Sequence, residues 1–261
     1  MDFIVSLKSD VGCKRKVNQD AAAAFTAQTA IGNVFFGLVC DGMGGLSQGE
    51  VASATVVNCY SDWFRNEFAD LISENTTPEI IIDKVIKKWE RILYRCHDTL
   101  FAYGTNKGIK LGTTCSCLLI APMWYCILHI GDSRIYFFNT NEIRQLTKDH
   151  TFIARELERG TITEEEALTH PKRHALTQSV GASSTRLVPD ISFGSLEENT
   201  VFLICSDGYR NRLSSDELFS YYNPPAVNYE SDLDYSFNTI IEQCIYRGET
   251  DNLTAVSVKV V

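Results

Sequence analysis

Residues 111 to 147 constrain the fold more than any other stretch, because successive apolar runs there are joined by connections of only two or three residues. Thr113 to Ala121, Trp124 to Ile130, Arg134 to Asn139 and Glu142 to Leu146 read as strands, with Pro122-Met123 and Asn139-Thr140-Asn141 as turns. Parallel neighbours need a crossover of about a dozen residues. Strands linked this closely therefore run antiparallel, which argues against a doubly wound parallel sheet.

The flanking segments have a helical period. Ala52, Val56, Tyr60, Trp63 and Phe64 fall on one face of a helix over residues 50–70. Ile82, Val85, Ile86, Trp89, Leu93 and Cys96 do the same over 79–101, and both stripes read as core. Thr76-Thr77-Pro78-Glu79 opens the second helix with a threonine cap, an early proline and an acidic first turn. Residues 149–170 are polar and helix-prone, with Gly160 as a stop and Thr163-Glu164-Glu165-Glu166 as a new start. They suggest an appended flap. Strands return near 187–193 and 201–206, helices near 214–222 and 232–247, and a last strand near 253–260. No repeat and no linker composition divides the chain.

Composition removes several classes of function. At 261 residues, with 44% hydrophobic and 22% charged, the chain is of globular type. The apolar stretch from Cys115 to Ile130 is broken by Pro122 and His129, so no membrane span is expected. The amino terminus lacks the basic start and apolar core of a signal peptide, which predicts a cytoplasmic protein. The catalytic motifs run almost to both ends, so any sensor or anchor is expected on another protein. Nine cysteines, an odd number scattered through apolar runs, argue against a disulfide framework. Cys115 and Cys117 alternate on one strand face and lack the second cysteine pair of a zinc site. A net charge of −9 disfavours an extended nucleic-acid surface.

Chemistry concentrates at strand ends. Asp41 closes the apolar run Val34 to Val39 and is followed by Gly42-Met43-Gly44-Gly45. Asp207 follows Val201 to Ser206, and Asp251 precedes Leu253 to Val258. Glycine lets the backbone turn sharply beside a carboxylate, an arrangement suited to a hard cation. Further polar clusters follow the same logic: Arg15 with Asn18-Gln19-Asp20, Gly112-Thr113-Thr114, Gly131-Asp132-Ser133-Arg134, Asp149-His150, His170-Pro171, Leu176-Thr177 with Gly181, Ser206-Asp207-Gly208, and Asp251-Asn252 with Thr254. Singly each is weak. In this order they closely resemble the metal-dependent protein phosphatases of the protein phosphatase 2C family, in its compact bacterial branch, over nearly the whole chain.

The resemblance implies an α+β fold, a four-layer α-β-β-α sandwich of two mainly antiparallel sheets flanked by helices. It implies a single catalytic domain over residues 1–261, with a helical flap over about 151–175. It implies two Mn or Mg ions, with Asp41 bridging them, the Gly42 carbonyl and Asp207 on one side and Asp251 on the other. Asp20 would hold water in a second shell, and Asp132 would help bind a third, weaker ion. The implied activity is hydrolysis of phosphoserine and phosphothreonine on proteins by attack of a metal-bridging hydroxide. Two adjacent divalent ions supply positive charge and a nucleophile together. Arg15 would clamp the phosphate oxygens, since a planar guanidinium makes the two-point contact that lysine cannot. A monomer opposing a serine/threonine kinase is expected. The alternative reading is a catalytically inactive relative that binds phosphoproteins; retention of Asp20, Asp41, Asp132, Asp207 and Asp251 argues against it.

Two departures stand out. Met43 replaces a histidine that many eukaryotic members carry as a proposed general acid, and methionine donates no proton. Tyr209-Arg210-Asn211-Arg212 replaces a more usual apolar-plus-threonine turn. It reads equally as a polar helix-leading loop or as an altered substrate contact. His150, His170 and His174 read as structural or flap residues.

Overall fold

The computed structural model describes residues 1–43, 48–72, 76–183 and 186–261. Gly44 and Gly45 of the Asp41 motif lie outside the described residues. Eleven strands form two sheets: β1 Phe3–Asp10, β2 Asp20–Thr29, β3 Gly32–Met43, β4 Gly112–Thr113, β5 Cys115–Ala121, β6 Trp124–Ile130, β7 Arg134–Phe138, β8 Ile143–Gln145, β9 Asp190–Ser195, β10 Thr200–Cys205 and β11 Leu253–Val260. One sheet has the order β1-β11-β10-β7-β8, the other β2-β3-β5-β6-β9 with β4 added beside β3. Every pairing in both is antiparallel.

The described residues form seven α-helices, α1 Gly49–Asn66, α2 Pro78–Lys107, α3 Phe152–Glu158, α4 Glu164–Thr169, α5 Asp207–Arg210, α6 Ser215–Tyr222 and α7 Glu230–Tyr246, of which α1 and α2 cover one sheet and α6 and α7 the other. The strand period of two explains the layering. On β3, Val34, Phe36, Leu38 and Cys40 pack with α1 and α2, while Phe35 and Val39 face the other sheet. On β10, Val201, Leu203 and Cys205 pack with α6 and α7, while Phe202 and Ile204 meet the first sheet's partner between the layers. Strands buried on both faces read as continuous apolar runs. The four-layer α-β-β-α sandwich follows.

Aromatic side chains carry much of the α1–α2 layer. Trp63 meets Phe36 and Trp89 edge-on, with centroids 5.6 and 5.8 Å apart. Truncating such a buried ring costs about 3–5 kcal/mol. Helix ends follow the sequence in part. Thr163 and Glu166 close a reciprocal capping box on α4, as do Ser214 and Glu217 on α6. Thr77 stands at the N-cap of α2 with Pro78 after it, but its side chain caps no backbone N–H, so the proline carries that start.

The run expected over Thr113 to Ala121 is interrupted at Thr114. There the chain leaves the ladder because the Thr114 N–H donates to the Asp41 carbonyl at 2.9 Å, and its Oγ1 accepts from the Asp41 N–H at 2.8 Å. This break is local and lies beside the carboxylates.

Candidate active site

Antiparallel order brings alternate strand ends to one edge of the sandwich, and the carboxylates sit there. Asp20 opens β2 directly opposite Asp41 near the end of β3. Asp207 opens α5 just after β10, Asp251 lies just before β11, and Asp132 sits in the turn between β6 and β7. Backbone must pass very close beneath them. A Cβ at Gly42 would fall 2.3 Å from the Gly49 carbonyl oxygen and 2.4 Å from that of Gln19. Only glycine fits that approach.

Hydrogen bonds hold the loops that carry the side chains. Asn252 Oδ1 accepts from the Gln19 N–H at 2.9 Å, and its Nδ2 donates to the Val11 and Val17 carbonyls at 2.9 and 3.3 Å. That one amide pins both ends of the loop bearing Arg15. Arg15 Nη2 then reaches Asp251 Oδ2 at 2.6 Å while its side chain stays half-exposed. Asn211 Nδ2 donates to Asp207 Oδ2 at 3.1 Å.

The electrostatics are those of a cation site. Burial, then the charges of Asp20, Asp207, Asp132 and Asp251, push the Asp41 carboxyl well above its ordinary range. Burial and the Asp207 and Asp251 charges push Asp20 up to about 7. Burial likewise raises Asp207, with Asp251 adding repulsion. Asp20 Oδ2 is buried without a hydrogen-bond partner. Uncompensated carboxylates with a spare buried acceptor fit divalent ions and the water they hold. Among the described residues no three His, Cys, Asp or Glu side chains close around one point by themselves. Backbone carbonyl and water would complete such a shell, which leaves the site open to substrate.

The Asp132 corner is different. Arg134 grips Asp149 with Nε and Nη2, both at 2.8 Å. Arg210 Nη2 donates to the Asp132 carbonyl at 2.9 Å and lies 3.6 Å from Asp149 Oδ2. Burial raises Asp132 to about 7, with repulsion from Asp207 opposed by attraction to Arg210. The turn is braced from behind. His129 Nε2 donates to the Gly131 carbonyl at 3.0 Å, and its Nδ1 accepts from Ser116 Oγ at 2.9 Å. His150 Nδ1 accepts from the Gly131 N–H at 3.2 Å. The structural reading of His150 fits these contacts.

A groove of ≈ 950 Å³ runs over Arg15, Asp41, Gly42, Asp207 and Asp251, and the segment bearing α3 and α4 supplies its far wall through Ile153, Leu168 and Arg173. An adjoining cavity of ≈ 460 Å³ lies over Asp132, Asp149 and Arg210. The structure thus brings Arg15, Asp41, Gly42, Asp132, Asp207 and Asp251 together around adjoining spaces, with Asp20 beneath them. Sequence reasoning did not foresee the Asn252 staple or the Thr114 clasp. An asparagine directly after a site aspartate and a paired threonine before a strand are the only signals, and neither states its partner.

The chain was compared with known proteins. Residues 14–239 match the protein family described as protein phosphatase 2C. A putative protein phosphatase 2C-type protein of Streptococcus pyogenes is 31% identical over 96% of this chain and 94% of its own length. The structure of the S. agalactiae serine/threonine phosphatase superposes with a TM-score of 0.83 at 29% identity, covering all of both chains. The catalytic domain of the serine threonine protein phosphatase PstP, solved in complex with 2 manganese ions, has a TM-score of 0.75 at 24% identity, again over all of both chains. With its carboxylate-lined edge, its two antiparallel sheets and this match over most of its length, the chain belongs to the protein phosphatase 2C family.

Proposed function

We propose that the chain is a metal-dependent protein serine/threonine phosphatase that hydrolyses phosphoserine and phosphothreonine monoesters. The observation that carries this reading is the convergence of Asp41, Asp207 and Asp251, with Arg15 beside Asp251 and Arg210 near Asp207, at the floor of a groove of ≈ 950 Å³. Asp41 would bridge two Mn or Mg ions, joined by the Gly42 carbonyl and Asp207 on one side and Asp251 on the other. When bound, the ions supply the positive charge that a phosphate dianion needs and acidify water to a nucleophile at neutral pH.

The chain's own residues do the rest. Arg15, half-exposed at the groove mouth, turns from Asp251 to the phosphate oxygens and orients the ester for in-line attack. Asp20 Oδ2, buried and unpartnered, accepts a hydrogen bond from the attacking water and fixes its direction. Met43 lines the groove but has no proton to give, so this side chain does not protonate the leaving alkoxide. A phosphoprotein-binding module would have no use for so costly a set of buried carboxylates.

The finer reading extends to context. Residues 1–261 act as one catalytic unit with 151–175 as its flap. Nine unbridged cysteines suit the reducing cytoplasm. Phosphorylated products of a serine/threonine kinase are its substrates, and it works as a monomer. No described helix is long and apolar enough to cross a membrane.

The test is hydrolysis of a phosphothreonine peptide by the purified chain with manganese, beside Asp207→Asn. Turnover should vanish with chelator and fall at least roughly 1,000-fold in the variant. Equal turnover in both proteins, or none in the wild type with manganese bound, would refute the assignment.

A further inference from the structure

The Asp132 corner carries its own positive charge, and one residue of this chain supplies it. Arg210 stands in the turn after Asp207, where its side chain is only 10% exposed. Nη2 donates to the Asp132 carbonyl at 2.9 Å, and Nη1 donates to Asn211 Oδ1 at 2.9 Å. Nη2 also faces Asp149, which Arg134 holds from the other side with a two-point grip. Through Asn211, whose Nδ2 donates to Asp207 Oδ2 at 3.1 Å, the same turn reaches the ligand set of the main site.

Resting on the two-ion reading above, we infer that Arg210 is the resident cation of the Asp132 corner and takes the place of a third divalent ion there. A third ion at Asp132 would have to share the Asp207 side. It would also approach the guanidinium of Arg210, itself only 10% exposed, and like charges beside a protein wall repel more strongly than in bulk water. It would find one oxygen donor already engaged, since the Asp132 carbonyl accepts from Arg210. A small hard ion needs about six oxygen ligands. The centre therefore takes two ions, and the cationic wall at Asp132 remains in every metal state.

The experiment counts ions rather than turnover. The full chain, stripped with chelator, is equilibrated with manganese alone up to millimolar concentration, and bound metal is measured per chain. Wild type should saturate at two, and Asp132→Asn should also hold two. Arg210→Gln, which removes the charge and keeps a polar side chain, should gain one further ion, lost again when Asp132→Asn is added. Arg210→Lys, which keeps the charge, should stay at two. A third ion in wild type that Asp132→Asn removes would overturn the inference, as would a folded Arg210→Gln that stays at two. Should Arg210→Gln fail to fold by circular dichroism, the wild-type and Asp132→Asn counts decide alone. Fewer than two ions in wild type would overturn the two-ion reading itself, and this inference with it.

Discussion

Two corners of one groove solve the same electrostatic problem in opposite ways. At Asp41 and Asp207 the carboxylates are crowded, so burial and repulsion from neighbouring aspartates raise both, with Arg210 offsetting part of this at Asp207. At Asp132 and Asp149 two arginines sit inside the cluster, and Asp149 is held below its ordinary range despite burial because Arg134 and Arg210 outweigh desolvation. The first corner is unstable until a cation arrives from solution. In the second, Asp149 is already neutralised by its arginines as folded. The difference separates the part of the site that recruits metal from the part that holds the wall and the flap in place.

The completed corner should therefore be the more fragile to mutation. Asp149→Asn leaves Arg134 and Arg210 buried without their shared carboxylate, a loss of about 3–5 kcal/mol for a broken buried pair. For a chain of this size that lowers the melting temperature by roughly 10 °C, with or without manganese. A fall of less than about 1 kcal/mol in a urea titration would mean that the corner is not built on this pair.

A slightly smaller effect should appear with pH. His129 is buried, and burial with the neighbouring His150 lowers it to about 4 from 6.5. The unfolded chain therefore binds more protons between those values, so stability is full above pH 6.5 and is lost as pH falls toward 4. The loss amounts to on the order of 3 kcal/mol. His129→Asn should flatten that part of the stability curve relative to wild type. Parallel curves for the two proteins would show that His129 already carries a proton in the fold and does not brace the Gly131 turn as a neutral donor.

Much of the first corner was legible in the sequence because strand ends announce themselves. Asp41, Asp207 and Asp251 each adjoin an apolar run, and only a fold that stacks strand ends could bring them together. The antiparallel pairing of β5 with β6 and of β7 with β8 was equally plain from their short links, but the three-residue link from β6 to β7 misleads: it carries the chain from one sheet to the other and joins no neighbours. Strand β2 was not. Its Asp-Ala-Ala-Ala-Ala-Phe-Thr-Ala-Gln-Thr sequence lacks β-branched runs, and it is a strand because β3 pairs with it over its whole length. The short strand β1 was unread for a similar reason: its alternation is mixed and its pairing partner, β11, is more than 240 residues away. Arg210 was visible only as an unusual residue in a turn. Its meaning depends on Asp132 and Asp149, which lie 78 and 61 positions earlier and reach it only through the packing of β7 against β10.

The contrast between the two corners rests on the claim that Asp41 is buried among other carboxylates for the sake of a cation, and one measurement addresses it directly. Thermal unfolding of wild type and Asp41→Asn should be followed at pH 7 in chelator and again in saturating manganese. In chelator the variant should melt higher, by about 1–2 kcal/mol of stability, because a carboxyl whose charged form is disfavoured by burial and by its neighbours is gone. Manganese should raise the melting temperature of wild type and leave the variant nearly unmoved. A variant that melts lower than wild type in chelator and gains as much from manganese would contradict the account.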